Sequence, residues 1–85
     1  MVIVRVVFTM HARARLIRYG IREEEVLDAL LDPDEVVPGH SGRFVAHKYK
    51  GVYVLRVVYE QLGDALVVVT VYRARRERYE RKRKG

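Results

Sequence analysis

The stretch RFVAHKYKGVYVLRVVYEQLGDALVVVTVY, residues 43–72, decides the fold. Apolar and β-branched residues recur in it with a period of two, broken at Gly51 and again at Leu62-Gly63-Asp64. That pattern predicts strands over 43–50, 52–60 and 65–72, joined by short connections into an antiparallel meander. A period of two also sorts side chains onto faces. In the last strand Ala65, Val67, Val69 and Val71 share one face, while Leu66, Val68, Thr70 and Tyr72 share the other. The small apolar set is expected to receive helices, which leaves Thr70 and Tyr72 on the opposite face. In the middle strand Arg56 interrupts an apolar run and shares a face with Val54, Val58 and Glu60. An ion pair with Glu60 is its simplest role. In the first meander strand Lys48 and Lys50 share one face, and His47 and Tyr49 the other. Which of these faces matches Thr70 depends on register.

Upstream, residues 34–42 hold Pro38, Gly39, Ser41 and Gly42 and read as a loop containing an exposed His40. Residues 2–8 are nearly all apolar or β-branched, so a strand is expected there, central or well covered. Between them lie two helical patterns. In TMHARARLIRYG, residues 9–20, Thr9 is placed to cap the first turn and Gly20 to end the helix in the left-handed conformation. Leu16 and Ile17 are expected to face the core, and Arg13 either to snorkel its head past that surface or to pair with an acid. In the second pattern Glu23, Glu24 and Glu25 suit the first turn of a helix. Val26, Leu27, Leu30 and Leu31 form its apolar face, and Asp32-Pro33 stops it. The order is β-α-α-β-β-β: an α+β domain with two helices on one face of a four-stranded, mainly antiparallel sheet.

Composition bounds the function. Eighty-five residues suffice for one domain, expected over 1–72. There is no Cys, so disulfides and thiolate chemistry are excluded. No apolar run reaches bilayer length, and 1–9 are too short for a signal peptide. A cytoplasmic protein without membrane contact is expected. The three His residues lack metal-ligand spacing, so neither metal nor other cofactor is expected. The net charge of +6 comes wholly from the end of the chain. Residues 1–72 hold nine Lys/Arg and nine Asp/Glu, whereas 73–85 hold eight and two. Such a basic tail, including Arg73, Arg75 and Arg76, suits nucleic acid or an acidic partner. Absent Asn, Cys and Trp beside many charged residues resembles thermophile usage.

At 100° per residue His11, Arg15 and Arg18 fall on one helical stripe near a helix start, where backbone N–H groups favour an anion. The bland alternative is a solvated basic face. With Arg56, Thr70, Tyr72 and Lys48 the stripe would line a cup suited to phosphate, because Arg forks onto phosphate and Tyr stacks or hydrogen-bonds. His47 reads as a half-buried strand residue.

Together, T-x-H-A-x-x-R (Thr9, His11, Ala12, Arg15), the following Gly20-Ile21 with its acidic helix start, the strand Val57-Val58-Tyr59 and the ending VVTVY resemble a known family. It is a small prokaryotic domain of unknown function related to RelE-type toxins, within the barnase/EndoU/RelE-like ribonuclease fold. The resemblance implies the same element order and His11, Arg15, Thr70 and Tyr72 as site positions. This chain departs from the family at Arg22, where Ser or Thr would cap the second helix. Two functions are then expected. One is a metal-independent RNA endonuclease, a toxin held by a small antitoxin protein, acting on mRNA or ribosome-associated RNA. In it His11, Arg15 and Tyr72 are catalytic, and Arg18, Lys48, Arg56, Thr70, Arg73, Arg75 and Arg76 hold RNA. The other is a non-catalytic RNA- or protein-binding module of the same fold.

Overall fold

The computed structural model describes residues 5–77. The chain runs β1 (Arg5–Phe8), α1 (Met10–Tyr19), α2 (Glu23–Leu31), β2 (Glu35–Pro38), a 3-10 turn (His40–Gly42), β3 (Phe44–Lys50), β4 (Tyr53–Leu62) and β5 (Ala65–Arg75). The strands form one mixed sheet in the order β1-β5-β4-β3-β2. β3, β4 and β5 are the expected meander. Two-residue turns join them, with Gly51 at φ 60° and Gly63 at φ 61° in the first central position, which favours tight hairpins. Among the described residues no helix is long and apolar enough to cross a membrane.

The sheet has five strands where four were expected. Residues 35–38, read as loop, pair antiparallel with β3. A four-residue edge strand ending in Pro leaves almost no periodic signal, and an edge is where Pro is tolerated. β1 is likewise not central: it pairs in parallel with β5 alone, and Val7 remains 42% exposed. β5 continues to Arg75, three residues past residue 72, and residues 78–85 of the basic tail lie outside the described residues.

Both helices pack on one face. Ala12 and Leu16 of α1, and Val26, Ala29 and Leu30 of α2, meet Leu66, Val68 and Val71 of β5 and Leu55 and Val57 of β4. Ile17, expected inside, is 84% exposed, and Leu31 is 62% exposed. The buried residues recur at i and i+4 on α1 and at i, i+3 and i+4 on α2, so each helix buries a stripe too narrow for its next apolar neighbour. The caps are as read. Thr9 Oγ1 accepts from Ala12 N–H, and Gly20 at φ 64° ends α1. Gly20 N–H donates to Ile17 and Ile21 N–H to Leu16, the paired bonds of a Schellman stop. Arg13 reaches Glu23 at 2.8 Å and lies over the Phe8 ring, tying α1 to α2 and β1. Arg22 brings no side-chain cap to α2, but its backbone N–H donates to Glu25, which keeps half of a capping box.

The face assignment in β5 needs correction. Leu66 and Val68, not Val67 and Val69, meet the helices. The register changes between Val58, opposite Thr70, and Tyr59, opposite Val68, so Val69 is an extra residue in a β-bulge. The bulge reverses the alternation. Before it, even-numbered residues enter the core; after it, Val71 does, and Thr70 and Tyr72 turn to the far face as expected. Thr9 binds this bulge directly. Its N–H donates to Val68 O, and its hydroxyl donates to Val69 O at 3.1 Å. Thr9→Val keeps the volume but removes both the cap and the partner of the bulge carbonyl. It should cost about 2 kcal/mol, which lowers the melting temperature of a domain this size by roughly 8–16 °C. Thr9→Ser should restore most of it, as read by thermal circular dichroism.

Candidate functional site

β1 ends at Phe8, opposite Val68. Beyond that point α1 takes its place beside β5. Thr9 anchors the helix at Val69, and Arg73 anchors its far end, donating to Tyr19 O at 2.7 Å and Gly20 O at 3.5 Å. Ten helical steps cover about 15 Å and four strand steps about 13 Å, so helix and strand keep pace between the two anchors. The cleft between them, about 500 Å³, is lined by His11, Arg15, Tyr19, Thr70, Tyr72 and Arg73.

On the helix side these groups form a ladder at i, i+4 and i+8. Arg15 Nε donates to His11 Nε2 at 3.2 Å, and Arg15 Nη1 donates to the Tyr19 hydroxyl at 2.8 Å. His11 Nε2 accepts in this arrangement, so its ring proton sits on Nδ1. Arg15 therefore reaches the cleft already oriented by its own helix. Arg73 lies against the negative end of α1, where a cation is favoured. Two guanidiniums, an imidazole, two phenols and a hydroxyl line the cleft, and none of the lining residues is a carboxylate. Such a site favours an anion.

On the strand side Tyr72 ends a row that crosses four strands. The register sets Glu35 opposite His47, His47 opposite Arg56, and Arg56 opposite Tyr72. Their side chains are hydrogen-bonded in that order. His47 Nδ1 and Glu35 Oε2 are 3.0 Å apart, Arg56 Nε donates to His47 Nε2 at 3.0 Å, and Arg56 Nη1 donates to the Tyr72 hydroxyl. Because Nε2 accepts from Arg56, Nδ1 carries the proton and donates to Glu35. His47 is 1% exposed, deeper than a half-buried strand residue, and the row satisfies both of its nitrogens. With its oxygen accepting from Arg56, the Tyr72 hydroxyl has its proton to offer elsewhere.

The cleft thus unites His11, Arg15, Thr70, Tyr72 and Arg73. The other expected RNA ligands lie apart. Arg56 does not pair with Glu60, which instead holds Arg43 at 2.8 Å. Arg18 is exposed and lies over the Tyr19 ring, 5.6 Å from its centroid. Lys48 is on the helix-bearing face, because it stands opposite Leu55, and the end of α2 captures it. Its Nζ meets Asp32 O at 2.7 Å and the Asp32 and Asp28 carboxylates. The bond to Asp32 raises Lys48 above its ordinary value and keeps it charged. Arg75 and Arg76 gather at the β3–β4 turn, where Arg76 covers the Tyr49 ring and reaches Gly51 O. Tyr19 and Arg73 complete the cleft, and Tyr19 was not anticipated, although i+4 spacing from Arg15 pointed to it.

The chain matches the model of a domain of unknown function, DUF4258, over residues 8–73, and so belongs to that family. No curated protein and no solved structure matches it. The matched span includes every residue that lines the cleft and stops short of Arg75 and Arg76.

The row separates the histidines. His47→Ala removes a buried imidazole bonded on both sides and should cost about 2–4 kcal/mol in urea unfolding. His40→Ala, at an exposed turn, should change stability by less than about 0.5 kcal/mol.

Proposed function

We propose that the cleft is the active site of a RelE-like, metal-independent RNA endonuclease. The observation that carries this reading is the placement, across one carboxylate-free cleft, of the His11–Arg15 pair on α1 and the Tyr72 hydroxyl on β5. RNA brings its own nucleophile, the ribose 2′-OH. Cleavage then needs a base for that proton, cations for the developing phosphorane charge, and an acid for the departing 5′-oxygen.

Each role has a candidate. An entering phosphate draws the Arg15 guanidinium away from the imidazole, since a charged acceptor outcompetes a neutral one. His11 Nε2 is then free to take the 2′-OH proton. Arg15 and Arg73 hold the phosphate oxygens, and Thr70 donates to one of them. Tyr72, its oxygen already accepting from Arg56, gives its proton to the 5′-oxygen. The 2′-oxygen–phosphorus bond forms, the phosphorus–5′-oxygen bond breaks, and the products are a 2′,3′-cyclic phosphate and a 5′-hydroxyl.

With excess EDTA the wild-type protein should cut single-stranded RNA to those ends and leave the matching DNA whole. His11→Ala and Tyr72→Phe should each slow cleavage by about 10²- to 10⁴-fold, with RNA affinity changed far less. Single-turnover kinetics and end-group analysis read both effects. Wild-type protein that binds RNA without cutting it overturns the catalytic reading in favour of a binding module.

A further inference from the structure

Tyr72 is shared. A second cleft of about 490 Å³, on the sheet face away from the helices, also has Tyr72 in its lining. Val45 and Val58 floor it, and His40, Arg43 and Arg56 rim it. The floor continues from the first cleft: Val45 stands opposite Val58, and Val58 opposite Thr70. The strand spacing puts Thr70 on β5 about 10 Å from Val45 on β3. Two depressions therefore adjoin along one cross-strand row and share Tyr72.

Their linings differ in kind. Every side chain lining the first ends in a polar or cationic group, and no Val, Leu or Ile lines it. The second combines an apolar floor, an aromatic wall and cations only at the rim. A phosphate has nothing to gain from valines, whereas a flat heteroaromatic ring covers them, stacks on the phenol or on the Arg56 guanidinium that lies over it at 5.3 Å, and offers acceptor edges to the cations of the rim. Arg56 holds the wall in place through its bond to Tyr72 and is itself fixed by His47. Arg43 is steadied at the rim by Glu60.

We infer that this second cleft is a nucleobase subsite. It receives the unpaired base adjoining the phosphate held by Arg15 and Arg73, with Tyr72 shared by base and phosphate. The inference rests on the RNA reading and narrows it. A base reaches such a pocket only when unstacked and unpaired, so the ligand is single-stranded RNA and duplex is excluded.

The test reads affinity, independently of cleavage. A fluorescent hexanucleotide RNA and a set of versions, each with one base removed, are titrated by anisotropy against the whole protein. In the wild type, loss of the base at one position should weaken binding by about tenfold or more, the scale of one base–aromatic stack, and loss elsewhere by much less. Val58→Phe fills the cleft and Arg43→Ala opens its rim. In each variant the penalty at that position should disappear, while His11→Ala should retain it. Annealing the complement should abolish binding. If every abasic position costs the same in wild type and variants, or if duplex binds as well as single strand, the subsite is overturned while the phosphate cleft stands. If the intact RNA does not bind at all, the RNA reading itself falls.

Discussion

Thr9 Oγ1 works in two directions at once, accepting from Ala12 N–H inside α1 and donating to Val69 O in β5. One hydroxyl thereby joins the start of a helix to the bulge of a strand. The bulge decides which side chains of β5 enter the core, because an extra residue reverses the alternation of everything after it. The helix start decides where His11 and Arg15 stand. Fixing the two ends to each other fixes the cleft. Arg73 completes the arrangement from the other end of α1, so the helix is held against β5 at its first and last turns by polar contacts. Ala12 and Leu16 fill the space between them with apolar ones.

The second organising feature is the row Glu35–His47–Arg56–Tyr72. A buried imidazole flanked by a carboxylate and a guanidinium is expensive unless every donor meets an acceptor, and here no buried side-chain polar atom among the described residues lacks a partner. The row also carries direction. Each donor points toward Glu35 except the last, where Arg56 Nη1 donates to Tyr72, so the phenol at the end faces outward as a donor. The row ties the orientation of a cleft residue to an edge strand three strands away.

Much of this was legible in the residues and some was not. The caps of α1, the meander and the contact of Arg13 with an acid follow from local chemistry, whereas Thr70 and Tyr72 reach the expected far side only because the bulge reverses the alternation. The pairing of His47 with Arg56 was within reach, because a two-residue turn at Gly51 fixes Lys50 opposite Tyr53 and counts back to it. The pairing of Arg56 with Tyr72 was not. Counting from the Gly63 turn puts Arg56 opposite Val71, and only the bulge moves it on by one. A bulge in a run of valines has no signature of its own, since each residue suits either face. Lys48 was misplaced for a related reason: its face was undetermined until the register set it opposite Leu55. β2 was hidden by composition, because Pro38 and the glycine and serine after it outweigh two valines.

That hidden strand has one more consequence. The sheet ends on β2, and an exposed strand edge invites another strand to join it. Here the edge is four residues long, begins with the carboxylate of Glu35 and ends with Pro38, which has no N–H to offer a newcomer. The chain then turns sharply through Ser41 and Gly42, both at positive φ, before β3 begins. A passing strand finds too short a ladder to grip, so the Val-rich sheet is closed to growth on this side without a helix to cover it.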